Sequence, residues 1–313
     1  MWRRFAGNGD AVTTTSETAP GRTPRLAGGG LVAWWHRIHR GPRRVRWPLK
    51  AGVLGLTVAL VLYPKVWLMP VWLERLGNMN SVLEPEHPAL AELESAVRGA
   101  VGPNASTKAV HAAVERTVRA RIPYAFDWDT WGVVDYLPTV GEVFAKGRED
   151  CDGLAVVAAS LLRRMGEKAW LVTDLKHVWV VTPDGEIMSP GQGAKTLVGE
   201  ETGTRISLTT DFAANLGRGL AFGVAVFPMG RELIILAVLC VVTLQPRSSV
   251  SRRMVGCLLL GGALVLLRLA GTSATALAAE PALAWGGLSA AAAGWLVLAI
   301  RGGGSRSPAT PRR

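Results

Sequence analysis

Cysteine is scarce in this chain: Cys151, Cys240 and Cys257 are the three among 313 residues. That excludes a disulfide framework as the source of stability. Cys240 and Cys257 sit in apolar runs, where a cysteine behaves as a small hydrophobe. Of the three, Cys151 alone has polar neighbours on both sides. Acidic residues are nearly absent from the first fifty positions, which hold ten Lys and Arg against Asp10 and Glu17. The middle of the chain lacks a matching basic excess, since residues 74–218 carry fifteen basic and twenty acidic side chains. A net charge of +11 distributed this way argues against nucleic acid as a partner, because a binding domain would gather Lys and Arg on its folded part. No small-x-small cleavage site follows the first apolar run, which favours a retained anchor over a cleaved signal peptide.

What the chain has in plenty is apolar sequence: 49% of residues are hydrophobic and the mean hydropathy is +0.24. The excess is gathered in a few runs. Leu49–Leu73 is long enough to cross a hydrocarbon core of about 30 Å. Pro64 and Pro70 are placed to kink or end that helix, and Lys65 to snorkel toward headgroups. Three more spans are expected at about 224–244, 255–270 and 282–300. The loop between the second and third spans holds Arg247, Arg252 and Arg253, the tail holds Arg301, Arg306, Arg312 and Arg313, and residues 271–281 hold no basic residue. With four spans, every Arg-rich segment falls on the side of the N-terminus, which the positive-inside rule makes the cytoplasm. The organisation expected is a basic, largely disordered cytoplasmic tail over 1–48, a span over 49–73, an extracytoplasmic domain over 74–218, three spans within 219–300, and a basic cytoplasmic tail over 301–313. Arg231 and Glu232 interrupt the second span. They read either as an intramembrane functional pair or as markers of its outer boundary; Arg268, near the end of its span, is expected to snorkel.

Leu31–Arg40, apolar then basic, reads as a short interfacial helix or as part of a basic juxtamembrane tail. Glu86–Val97 and Thr107–Val118 have amphipathic helical spacing and are broken apart by Gly102-Pro103-Asn104. Ile122–Pro138 is aromatic-rich and irregular. Thr139 and Glu142 form a capping box for a short helix. Lys168–Thr173 reads as a strand, and His177–Thr182 and Glu186–Ser189 as a hairpin around Pro183-Asp184-Gly185. Gly191–Gly217 is polar and aperiodic, a lid or a return linker.

The centre of the chain is Arg148-Glu149-Asp150-Cys151-Asp152-Gly153. Leu154, Val157, Ala158, Leu161, Leu162 and Met165 follow at helical spacing, and Gly166 closes the run as a C-cap. Cys151 therefore opens a helix, where the partial positive charge of the terminus favours a thiolate. His177 opens a valine-rich strand. A thiol at a helix start and an imidazole on a strand are the partners that nucleophilic cysteine chemistry needs.

These residues resemble the bacterial transglutaminase-like cysteine proteinases of the transglutaminase-like superfamily, over roughly Tyr124 to Pro190. The likeness is carried by Trp131-Gly132-Val133-Val134-Asp135-Tyr136, Glu142, Glu149-Asp150-Cys151-Asp152 and His177-Val178-Trp179-Val180-Val181. It implies an α+β, papain/transglutaminase-like domain, with the Cys-bearing helix packed on an antiparallel sheet, inserted between transmembrane helices. It implies Cys151 as nucleophile and His177 as base, with Ser189 standing where the family carries Asp. Asp174 and Asp184 are nearby carboxylates, the alternatives for that role. Trp128, Trp131 and Tyr136 are candidates for a substrate-groove wall or an oxyanion donor, the other reading being an aromatic core. The resemblance also implies calcium at Asp150 and Asp152; the same residues serve equally as caps of the helix start. No cofactor is otherwise required.

Three functions follow. The first is a membrane-anchored cysteine peptidase or amidase, acting on a peptide or protein substrate by thiolate attack on a carbonyl. The second is an acyltransferase or cross-linking enzyme on the same Cys–His site. The third is a catalytically weak module that binds a peptide or a membrane-protein partner. A bacterial inner or plasma membrane location accompanies all three.

Overall fold

The computed structural model describes residues 41–173, 177–189, 198–199, 211–245, 248–272 and 281–300, with isolated positions 30 and 38. The chain divides into two compact units, Met1–Arg46 and Trp47–Arg313. Of the first, the described part is mainly the start of a helix. The sheet, the cavity and most of the apolar helices belong to the second. Most of the Leu31–Arg40 segment, Asp174, most of 191–210 and the C-terminal tail lie outside the described residues.

Helix α1 (Arg43–Leu62) is long and apolar enough to cross a membrane. It ends 11 residues, about three turns, before the Leu73 expected from hydropathy. Pro64 lacks an N–H and disfavours helical geometry in the residue before it, so the chain turns and restarts as α2 (Leu68–Gly77). A 3-10 turn (Met79–Val82) leads to α3 (Leu90–Ala100) and α4 (Thr107–Arg121). Both are amphipathic as their spacing predicts: Leu90, Leu93 and Val97 of α3 and Ala113, Val114 and Val118 of α4 are buried. The side chain of Ser106 caps α4 by accepting from the amide of Ala109 at 3.3 Å.

A short helix, α5 (Asp127–Thr130), interrupts the aromatic segment, and α6 (Val140–Lys146) follows with the expected Thr139/Glu142 capping box. Helix α7 (Cys151–Arg164) is the centre of the core. Every residue from Gly153 to Leu162 is buried, so it is enclosed on all sides rather than on one face. It stops at Gly166, whose φ of +93° suits glycine, and Glu167 donates back to the Leu162 carbonyl at 2.9 Å.

The sheet has the order β3-β2-β1-β4, with β1 Trp170–Thr173, β2 Val178–Thr182, β3 Gly185–Ile187 and β4 only Val198–Gly199. All pairings are antiparallel: Leu171 faces Val180 and Val180 faces Ile187. The hairpin turns at Pro183-Asp184, as the sequence predicts. Helix α7 packs on β1 and β2, and α3, α4 and α6 close over it. A second cluster, Tyr63, Trp131, Val133 and Tyr136, joins the end of the first apolar helix to the aromatic segment.

Helices α8 (Asp211–Val226), α9 (Met229–Thr243), α10 (Val250–Thr272) and α11 (Pro281–Ala299) complete the chain. Both α10 and α11 can cross a membrane by length and composition, giving three such helices with α1. The single span expected at 224–244 is instead bent by 112° between Val226 and Met229. Pro228 explains the break: it disfavours helix at Phe227 and supplies no N–H. At 1.5 Å per residue α9 reaches only about 22 Å. Close contact replaces side-chain bulk in this bundle. A side chain at Gly271 would run into the Ala221 carbonyl of α8, and one at Gly256 would meet Leu298 of α11.

Arg268 of α10 does not snorkel. It donates to the carbonyls of Ala225 (3.1 Å) and Phe227 (3.3 Å), which the break leaves without helical partners, and it pairs with Glu232. Glu232, adjacent in sequence to Arg231, is thus paired with a residue one helix away. Arg231 points elsewhere and donates to the Gly132 carbonyl at 3.2 Å.

Candidate active site

Asp150 begins the site. Its Oδ1 accepts from the Asp152 amide at 3.0 Å and so caps α7. Cys151 is then the first helical residue, whose N–H has no carbonyl one turn back within the helix. The helix carries Cys151 to the wall of a cavity of about 510 Å³, and β2 brings His177 to the same cavity. The amide of Val178, the residue after His177, favours the Cys151 thiolate. Both members of the expected pair thus line one cavity, one from a helix start and one from a strand start.

The imidazole is fixed on its far side. His177 Nε2 lies 2.7 Å from the Met188 carbonyl. A carbonyl only accepts, so Nε2 carries the proton and Nδ1 is the basic nitrogen. The ring also stacks on Trp179, with centroids 6.3 Å apart and planes at 16°. Met188 is the one described non-glycine residue with positive φ, +58°. That conformation turns its carbonyl toward the histidine, a strained choice of the kind found at functional sites. The sequence directs attention to Ser189 in this role. The acceptor seen on His177 Nε2 is the main-chain oxygen one residue earlier, a group that no side-chain motif announces.

A second feature missed by the motif is a nest of carboxyl groups. Asp127, Asp135, Glu149, Asp150 and Asp152 gather around the base of α7. Asp135, in the aromatic motif, lies beside the Asp152 carboxyl and the Trp72 indole, and both neighbours favour its ionised form. Glu149 is fully buried and accepts from the Trp131 indole and from the Asp150 amide at 2.8 Å. Its side chain folds over Gly153, where any Cβ would collide with it. Asp127 accepts from the Tyr136 amide through Oδ2, while its buried Oδ1 has no hydrogen-bond partner.

Desolvation raises the carboxyl pKa values throughout this nest, and mutual repulsion adds to it. Glu149 is pushed up to about 7. Cys151 feels the same surroundings. Burial first, then the charges of Asp152 and Asp150, hold its thiol well above the ordinary range, against the amide of Val178, which lowers it. The thiol donates to Asp152 Oδ1 at 3.2 Å. The thiolate expected from the helix terminus is thus opposed by neighbouring negative charge.

The same nest bears on metal binding. Asp127, Glu149 and Asp150 offer ligand atoms within 4.8 Å of one another, as do Asp150, Cys151 and Asp152. The first set suits a hard cation better: all three donors are carboxylate oxygens, and one of them is otherwise unsatisfied. Asp152, expected as a ligand, is engaged with Cys151 and Asp135.

The aromatic candidates separate. Trp128 lines the cavity, stacked on Phe126 at 4.4 Å and edge-on to Phe227. Trp131 and Tyr136 are buried behind it, where Trp131 holds Glu149 and Tyr136 joins the Arg75–Glu142 ion pair. Residues that the sequence does not point to line the cavity instead, notably Tyr63, Trp72 and, from α8, Phe222 and Val226.

The chain matches no protein-family model, no curated protein and no solved structure.

Proposed function

We propose that the chain is a membrane-anchored cysteine peptidase or amidase of transglutaminase-like type, with residues 74–218 as a papain/transglutaminase-like domain outside the cytoplasm. One observation carries the reading: Cys151 at a helix start and His177 at a strand start line one cavity, with Nε2 tied to Met188 so that Nδ1 is the base. In this mechanism Nδ1 takes the Cys151 proton and the thiolate attacks a peptide or amide carbonyl. The oxyanion forms beside the Cys151 N–H at the helix terminus. The imidazolium then protonates the leaving amine, and water attacks the acyl-enzyme with His177 again as base. Ser189 follows the residue that orients the imidazole. Asp127, Glu149 and Asp150 would hold calcium, and the ion's charge would offset the carboxylates that oppose the thiolate.

The raised pKa of Cys151 favours a second reading, a catalytically weak module that binds a peptide or a membrane-protein partner. An acyltransferase would use the same groups with an amine in place of water. The deciding experiment is alkylation of Cys151 by iodoacetamide near neutral pH, with and without calcium, in wild type and His177→Ala. Alkylation faster than a free thiol, and dependent on His177, supports the enzyme. Alkylation no faster than glutathione, and insensitive to His177→Ala, overturns it in favour of the module.

A further inference from the structure

The cavity has two kinds of wall. One is polar: Cys151, His177 and the carboxyl groups of Asp135, Asp150 and Asp152, with Trp72 beside Asp135. The other is apolar and comes from the apolar helices and α2: Leu62 from the end of α1, Leu76 from α2, Phe222 and Val226 from α8. Helix α2 has two apolar faces. Trp72 and Leu76 look into the cavity and core, while Met69 and Leu73, with Val66 and Trp67 just before the helix, are exposed. An exposed apolar face with a tryptophan is what a helix lying in a bilayer interface presents. The wall of the cavity is therefore also a surface suited to lipid.

Helix α8 supplies Gly219 and Gly223 to the same lining, one turn apart. A Cβ at Gly223 would meet nothing within 4 Å. The missing side chain is left as open space rather than filled by a packing partner. The resulting volume, about 510 Å³, is in the range that holds a small ligand.

We infer that the apolar wall of this cavity takes the aliphatic chain of a membrane-resident acyl group, with its carbonyl delivered to Cys151. The inference deepens the proposed function and rests on Cys151 as the nucleophile for its chemistry, though not for binding the chain. The walls choose between chain and peptide. They are helices, whose backbone donors and acceptors are satisfied internally, and apolar side chains. An extended peptide would bury its own N–H and C=O groups there without partners, whereas an alkyl chain has none to satisfy. Burying each CH₂ yields about 0.8 kcal/mol.

The test uses the full chain in lipid nanodiscs and a neutral probe, an N-methyl palmitamide with a mid-chain diazirine. A charged fatty acid would be repelled by the carboxyl nest. Photolysis should place adducts on the peptides holding Leu62, Phe222 or Val226. N-methyl dodecanamide should compete and N-methyl acetamide should not. Gly223→Trp should reduce cavity adducts at least fivefold and Gly223→Leu less, while adducts on the exposed Leu258 and Val265 of α10 stay constant and report both folding and probe concentration. Should Gly223→Trp lose the reference adducts, Gly223→Leu decides. Adducts confined to the exposed face of α10, or cavity adducts unchanged by the Gly223 variants, overturn the inference. Protection of Cys151 by a short apolar peptide and not by the amide overturns it in favour of a peptide. Cys151→Ser should keep the cavity adducts, so an unreactive Cys151 would overturn the nucleophile without touching the chain site.

Discussion

Cys151 donates to Asp152 Oδ1 at 3.2 Å, and the Asp135 carboxyl lies against that of Asp152. Two carboxylates this close repel each other unless a proton or a cation offsets their charge. The Cys151 thiol thus stands at the end of a row, Cys151–Asp152–Asp135, whose charge depends on how many protons or cations the nest holds.

Stability should therefore depend on pH and calcium together. The folded pKa of Glu149, about 7, lies above its unfolded value of 4.5. A raised pKa means that the folded state binds the proton more tightly. The stabilisation is complete below 4.5 and is lost as pH rises through 7, by on the order of 3 kcal/mol. Without calcium, the melting temperature should fall by several degrees between pH 5 and pH 8. Calcium should restore it at pH 8 and do little at pH 5, and Glu149→Gln should flatten the profile. At pH 5 that variant should cost roughly 1 kcal/mol, because the amide cannot accept from both Trp131 and the Asp150 amide. A flat profile in chelator, followed by thermal scans, would remove the nest from the account.

Cys151 reactivity should follow the same charges. Asp152→Asn removes the nearer of the two charges that raise the thiol pKa. Its iodoacetamide rate at pH 7 should rise several-fold in chelator and less in calcium. His177→Ala should slow wild type and variant alike. Ser189→Asp should leave the rate unchanged or raise it. Rates that ignore both Asp152 and His177 would show the thiol to be isolated from its surroundings.

The pin across the bent helix pair should be asymmetric. Arg268→Ala leaves Glu232 buried and unpaired, along with the carbonyls of Ala225 and Phe227, and should destabilise by about 3–5 kcal/mol. Glu232→Gln keeps a hydrogen-bonding side chain and should cost less. Thermal unfolding in detergent distinguishes the two. Equal effects would mean that the carbonyl contacts contribute little.

Orientation is read by labelling. A single-cysteine reporter within 84–120 should react with an impermeant reagent added outside intact cells, and reporters at 252 and 306 should react only after the membrane is opened. Protection of the first would move the active site to the cytoplasmic side.

Much of this was legible in local sequence. Helical spacing after Cys151, the Thr139/Glu142 box, Gly166 and the Pro183-Asp184 turn are interactions between residues a few positions apart. That Cys151 and His177 would be worth placing together was legible too, and both do line one cavity. What stayed hidden was long-range or main-chain. Asp135 joins Asp152 across 17 residues, Arg268 reaches Glu232 across 36, and α8 reaches the cavity from more than 60 residues beyond Cys151. The bend at Pro228 was hidden for another reason: hydropathy sums residues and is blind to a missing N–H.

The carbonyl of Met188 has a consequence for how this site varies. A base oriented by a side chain is lost when that side chain is replaced. Here the orienting oxygen belongs to the backbone, so every one of the twenty residues would bring it, and a scan of side chains from 186 to 190 would pass over it without a signal. What such a scan would register is conformation. Glycine at 188 accepts positive φ freely and would loosen the aim of the imidazole, while proline cannot adopt it at all. His177 is thus held by the path of the chain, and selection can see it only through residues that change that path.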